Sequence, residues 1–304
     1  MPKARLQDFG PAMLMVAGLL VLTTAVPRAL AAPQQNYVFK TMDAPGKDLA
    51  NSYQQTYVND SGLTVQQYVG TDGFQHAAAL LSSGWTLIDV PGADGTFPRY
   101  PNSQGQVPLV YWGSDGINHP AIWQRGQLAF IPDQMFAGYV FGGGLAINDR
   151  GQITAFVFDS AETGLTFVGD SRHHTVFGYP GSGFTFPLVT SNSGITVGAY
   201  LDSDGLFQAF SYDGTHFTTI VVPGAQQAQA NDINSEGDIV GIYIDSSGNF
   251  SGFQLQRGHL TDFDVPHSLQ TLLFMVTDNH KITGTYQALD GSWHGFVATP
   301  VGGK

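Results

Sequence analysis

The side chains with the widest chemical reach at neutral pH are nine histidines, able to ligate metals or move protons. Three of them, His76, His119 and His294, share one register of a repeating pattern whose other members are Leu165, Gln208 and Ser251. A register position points the same way in every repeat, so these imidazoles are spread out, not gathered. Zinc requires three or four converging ligands, and sequence neighbours such as His173 and His174 rarely both face one ion. Both sets are read as structural groups at turns. Asp202-Ser203-Asp204-Gly205 opens like a calcium loop but lacks the final Glu of an EF-hand, so it reads as a hairpin turn. Cysteine is absent, which excludes thiolate catalysis, thiolate metal sites and covalently attached haem. No metal and no cofactor is expected.

Hydrolytic chemistry fares little better. A sialidase needs an arginine cluster, an acid/base Asp and a Tyr–Glu pair. Here Arg99, Arg125, Arg150, Arg172 and Arg257 fall mostly at turns, and Glu is limited to Glu162 and Glu236. Ser211-Tyr212-Asp213-Gly214 is one residue too short before its Gly for the Asp-box of those enzymes. Other glycosidases need two carboxylates facing a cleft, whereas the acidic residues here cluster in turn motifs. No Gly-x-Ser-x-Gly elbow or P-loop is present. No catalytic residue is assigned.

The elements that position these side chains are set by an internal repeat. The Asn in Asp232-Ile233-Asn234-Ser235-Glu236-Gly237 belongs to a column of Asn59, Asn102, Asn148, Ser191, Asn234 and Thr277, with steps of 43, 46, 43, 43 and 43. A Gly follows three residues later at Gly62, Gly105, Gly151, Gly194 and Gly237, with His280 the exception. An aromatic column holds Tyr68, Tyr111, Tyr200, Tyr243 and Tyr286, broken by Val157; a later one holds Phe167, Phe210, Phe253 and Phe296. The shared offsets define six repeats between about Tyr37 and Pro300.

Each repeat reads as four strands. In the fifth they are expected over 216–222, 230–233, 238–244 and 250–257. The third, Ile239-Val240-Gly241-Ile242-Tyr243-Ile244, is apolar on both faces, as a strand covered on both sides should be. Asn234-Ser235-Glu236-Gly237 and Asp245-Ser246-Ser247-Gly248 have turn chemistry. Gly241, Gly198 and Gly284 are expected to allow close approach between neighbouring units. The Tyr column is expected to pack between blades. The fold is therefore expected to be all-β: a six-bladed β-propeller of four-stranded antiparallel blades. The first strand (37–42) and the last (292–299) are of consecutive types in the repeat, so the ring is expected to close by their pairing. High glycine content (38 residues) and 12% charged residues argue against helix bundles, coiled coils and TIM barrels.

The phrase Ile-Asn-x-x-Gly-x-Ile-x-Gly-x-Tyr, followed by His-Gly-Phe at 294–296 or Gln-Ala-Phe at 208–210, resembles the HAF-type extracellular repeat of exported bacterial proteins. Ala78 and Ala121 stand where that pattern expects Phe. The resemblance implies an exported repeat protein and no particular reaction.

A Pro-containing turn precedes the Asn column by 11 residues in four repeats, by 14 in the first and by 16 in the third. Loops of varying length on a regular scaffold commonly carry binding. These connections hold Phe97, Arg99 and Tyr100; Phe136, Tyr139 and Phe141; and Phe184 and Phe186. Two readings stand: an exposed aromatic rim for a glycan, a peptide or a surface protein, or rings that cap the propeller core. A hydrolase or lyase acting on polysaccharide is the alternative.

Residues 1–31 read as an export signal: Lys3 and Arg5, an apolar stretch from Met13 to Val26, and small Ala29 and Ala31 before the expected cut. An uncleaved anchor is the rival reading. A short leader (32–36), the propeller (37–300) and a tail (301–304) follow. Losing three basic residues and one acidic residue takes the net charge from −12 to −14. Such a chain is repelled by nucleic acid and by anionic membranes. A monomer, secreted to the cell exterior or the periplasm, is expected.

Overall fold

The computed structural model describes residues 36–49 and 54–302. The export signal expected over 1–31 lies outside the described residues, as do most of the leader and the end of the tail. Among the described residues no helix is long and apolar enough to cross a membrane.

The described residues form antiparallel strands and one 3-10 turn. Strand β1 (Tyr37–Met42) is followed by β2 (Gln55–Val58), β3 (Thr64–Val69), β4 (Gln75–Leu81) and β5 (Gly84–Leu87). Next come β6 (Gly95–Pro98), β7 (Val107–Trp112), β8 (Asn118–Gln124) and β9 (Gln127–Phe130). The 3-10 turn Asp133–Phe136 precedes β10 (Val140–Ile147), β11 (Ile153–Phe158), β12 (Gly164–Gly169) and β13 (His174–Phe177). Then follow β14 (Thr185–Thr190), β15 (Thr196–Leu201), β16 (Phe207–Tyr212) and β17 (Phe217–Ile220). The later strands are β18 (Ala225–Ile233), β19 (Ile239–Asp245), β20 (Phe250–Gln256) and β21 (His259–Phe263). Last are β22 (Gln270–Val276), β23 (Ile282–Gln287) and β24 (Trp293–Pro300).

Three four-stranded sheets run in chain order: β10 to β13, β14 to β17 and β18 to β21. The same order appears in β2 to β5 and in β6 to β9, which a single parallel pairing, Gln75 with Gly95, joins into one eight-stranded sheet. The remaining sheet has the order β1-β24-β23-β22. There β1 pairs antiparallel with β24, from Tyr37 opposite Pro300 to Met42 opposite Gly295. Sequence repeat and sheet are thus out of phase by one strand: each sheet takes its fourth strand from the start of the next repeat.

The Phe column lies wholly in the interior. Phe167, Phe210, Phe253 and Phe296 have no exposed surface, and each such burial contributes roughly 1.5–3 kcal/mol. Where repeat one has Ala78 instead, Trp85 from the outer strand β5 packs against Tyr68, Ala78 and Ala44. Strand β18 starts at Ala225, five residues before its expected start at Ala230. Register shifts between Ala225 and Gln227 and between Ala230 and Asp232 break the alternation that would have revealed it.

The glycines at 198, 241 and 284 do not serve contacts between units, as had been expected. A Cβ on Gly198, Gly241 or Gly284 would meet the carbonyl of Phe186, Gln229 or Leu272 at 2.2, 2.2 or 2.0 Å. Those carbonyls belong to the first strand of the same sheet, close to its register shift. The Tyr column also acts within its own sheet. The hydroxyls of Tyr200, Tyr243 and Tyr286 pair with Thr219, Asp262 and Thr41 on the outer strands.

Candidate functional site

The eight aromatic-rim residues do not form an exposed rim. Phe97, Arg99, Tyr100, Phe136, Phe141 and Phe186 are buried, and Tyr139 and Phe184 are partly buried. Phe97 lies 4.5 Å from Trp112, Phe136 stacks on Phe141 at 5.1 Å, and Phe184 and Phe186 each lie 4.8 Å from Phe156. Tyr139 packs against the cluster holding Phe136 and Phe141. The reason is positional. These residues lie on or beside the first strand of a sheet, and its neighbours cover both faces. The long connection of repeat three turns inward through the 3-10 turn, whose Phe136 ring is fully buried.

The histidine column is held by carboxylates on its own units. His76 Nδ1 lies 2.7 Å from Asp89 Oδ2, and its Nε2 lies 3.0 Å from Asp72 Oδ2. His294 Nδ1 lies 2.8 Å from Asp43 Oδ2, and His119 Nε2 lies 2.9 Å from Asp115 Oδ2. Each ring packs on a column tyrosine: Tyr68, Tyr111 or Tyr286. Burial alone would lower the His76 pKa, but its bonds to Asp89 and Asp72 outweigh this and hold it above the ordinary value. Repeats without the His place Asp159, Asp202 or Asp245 at the first turn position instead. Each of these carboxylates caps two amides of its own turn. The calcium-like sequence at 202–205 is such a hairpin: Asp202 Oδ1 accepts the amides of Asp204 and Leu206, and Oδ2 accepts Gln208 Nε2.

Among the described residues, one group has the ligand types and spacing to hold a metal: Glu236, Asp238 and His280. His280 replaces the column Gly and keeps its left-handed backbone at φ 56°. Its Nδ1 lies 3.0 Å from Asp238 Oδ2 and its Nε2 lies 3.8 Å from Glu236 Oε2. Asp238 Oδ2 also accepts Gln256 Nε2 at 2.9 Å. The imidazole therefore faces one carboxylate with each nitrogen, which makes the group a polar tie between repeats five and six.

The open concavity lies elsewhere. A cleft of about 540 Å³ sits between the β4–β5 hairpin with the segment after it and the hairpin β8–β9. Leu81, Ile88, Trp123 and Leu128 give it an apolar lining, with exposed Leu87 beside them. Gln104 and Arg125 supply polar groups, and Asp89 is the one carboxylate among its described lining residues. Asp89 is already committed: its Oδ1 accepts the Ala77 amide and its Oδ2 meets His76. Arg125 is exposed at the hairpin tip with φ 50°. Its volume and lining suit a ligand that is largely apolar on one face and polar at its margin. Sequence reasoning missed the cleft because it is shared between two repeats. The one available signal was that these two repeats carry Ala78 and Ala121 in the Phe column.

No family model and no curated protein matches the chain. Solved structures are similar in shape. AofleA from Arthrobotrys oligospora is 13% identical with a TM-score of 0.54, over 88% of this chain and 91% of that one. The SapL1 lectin in complex with alpha methyl fucoside is 14% identical with a TM-score of 0.52, over 80% of this chain and 90% of that one. The β-propeller domain of the Trilobed protease from Pyrococcus furiosus is 10% identical with a TM-score of 0.50, over 83% of this chain and 85% of that one. The likeness is one of fold, and that fold is the β-propeller.

Proposed function

We propose that this chain is an exported, non-enzymatic six-bladed β-propeller that binds a glycan through the cleft between its first two repeats. The observation that carries the reading is that cleft: open, apolar on its walls, with exposed Arg125 at its mouth and its single carboxylate already bonded. Asp159, Asp202 and Asp245 each cap amides of their own hairpins, a structural use of these turn carboxylates. SapL1, which shares the fold, is a lectin solved with a fucoside. The β1–β24 pairing and the Asp278 amide donating to Asp60 Oδ1, which links the sixth repeat to the first, support a reading of six units closed into a ring.

The test is a glycan array with the wild type, Arg125→Asn and Leu87→Asp. Asn retains the left-handed backbone at 125 and removes the charge, and Leu87 is exposed, so both variants should melt like the wild type. Loss of glycan retention in both is expected. Absence of wild-type retention, or unchanged retention in both variants, overturns the reading.

A further inference from the structure

Arg99 follows β6 and is only 7% exposed. Among the described residues no carboxylate lies within ion-pair distance of it. Its Nη1 reaches Gln55 Oε1 at a long 3.4 Å, and its Nε has no hydrogen-bond partner. That same Gln55 oxygen accepts the Tyr57 hydroxyl at 2.5 Å. Tyr57 in turn feels both the Arg99 cation and the Asp232 carboxyl. Gln55, Arg99 and Asp232 lie on or just beyond β2, β6 and β18, the first strands of three four-stranded units. The rings of Tyr100 and Phe274 flank Tyr57 at 5.0 and 5.9 Å.

A buried guanidinium without a counterion costs several kcal/mol. This chain is strongly acidic, with 24 Asp and Glu against 12 Lys and Arg, yet among the described residues no carboxylate comes within ion-pair distance of Arg99. The Arg fork is shaped for a planar bidentate acceptor.

We propose that the convergence of Arg99, Gln55 and Tyr57 is a carboxylate-binding site, distinct from the cleft, that takes an organic monocarboxylate. The guanidinium holds the carboxylate and the amide of Gln55 and the hydroxyl of Tyr57 meet its polar neighbours. The shared chemistry admits two sources, a free small carboxylate or the carboxylate of an acidic sugar.

The experiment is thermal melting and isothermal titration of the full chain with D-glucuronate, acetate and D-glucose, each to about 20 mM. Glucuronate should raise the wild-type Tm and glucose should not. Arg99→Met should lose at least about tenfold in glucuronate affinity, and without ligand it should melt no lower than the wild type. Should Arg99→Met fail to fold, Arg99→Lys decides, since it keeps the charge without the fork and should bind measurably more weakly. Arg125→Asn should leave glucuronate binding unchanged, which separates this site from the cleft. Acetate acting as well as glucuronate assigns the free carboxylate, and acetate without effect assigns the acidic sugar. No carboxylate-dependent response in the wild type, or undiminished affinity in Arg99→Met, overturns the proposal.

Discussion

The side-chain amide of Asn59 donates to the backbone carbonyl of Asn102 at 2.6 Å, one repeat step of 43 residues away. Its Oδ1 meanwhile accepts the Leu63 amide and caps its own turn. Asn102 reaches the Asn148 carbonyl, Asn148 reaches Ser191, and Asn234 reaches Thr277, each at 3.3 Å. One column of asparagines therefore shapes each turn and ties it to the next.

Asn59→Ala removes the cap and the tie together: the part-buried Leu63 amide loses its acceptor, and the Asn102 carbonyl keeps only the Gly105 amide. A loss of about 1–3 kcal/mol is expected, read as a lower urea midpoint at unchanged slope.

Ser191 is the place where the chain of ties stops. Its hydroxyl caps the Ile195 amide at 3.1 Å but is too short to reach the fifth repeat. Ser191→Asn should add the missing link to Asn234 and stabilise the protein by about 0.5–1.5 kcal/mol. A lower melting temperature would show that repeats four and five are spaced differently from the others.

Gly284→Ala would drive a Cβ to 2.0 Å from the Leu272 carbonyl. An expected loss of roughly 2–4 kcal/mol follows from the forced strand separation. Gly248 has open space at φ 83°, so Gly248→Ala should cost only about 1 kcal/mol of backbone strain. Equal losses in urea unfolding would refute the close-approach account.

Asp43 joins the first strand to the last sheet. It accepts Lys47 Nζ at 2.7 Å, Gln54 Nε2 at 2.9 Å and the Gly295 amide at 3.2 Å, and it meets His294 Nδ1. Burial alone would raise its pKa, but the bonds from Gln54, His294 and Lys47 hold it below the ordinary value. Its stabilisation is therefore present above the unfolded carboxylate pKa and is lost as the pH falls through the folded one. Asp43→Ala leaves the Lys47 ammonium buried, at a cost of about 3 kcal/mol. Deleting 290–304 removes the whole of β24 (Trp293–Pro300) and should lower the melting temperature more than Asp43→Ala does. A truncated chain that melts like the full one would mean that the β1–β24 pairing is not stabilising.

Asp232 is pushed up to about 7 by burial, against the lowering effect of the Val276 and Ile233 amides, with Asp60 and Asp278 adding repulsion. The folded chain thus binds one more proton than the unfolded chain between about pH 4 and 7, and stability falls as the pH rises through that window. Asp232→Asn keeps an acceptor for the Val276 amide. It should leave stability near pH 4 little changed and raise it near pH 8, by on the order of a few kcal/mol. Parallel pH profiles for variant and wild type would exclude this titration.

Much of the fold could be read from the chain because its signals are local. A Gly with φ near +88° after Asn59, as at Gly62, or an apolar run such as Ile239–Ile244, needs only its neighbours in sequence to declare a turn or a strand. The pairing of β1 with β24 also followed, since consecutive strand types at the two ends of the chain imply a shared sheet. The site was far less legible. Phe97, Phe136 and Phe186 look like loop aromatics in sequence and are core in the structure, because burial depends on which sheet faces them. The cleft joins Leu81 and Ile88 of one four-stranded unit to Trp123 and Arg125 of the next, and the isolation of Arg99 depends on which carboxylates stay away. The sequence by itself determined the period, the strands and the turns, whose physics is short-ranged. The tertiary structure alone decided which side chains meet water, because that depends on packing between units far apart in the chain.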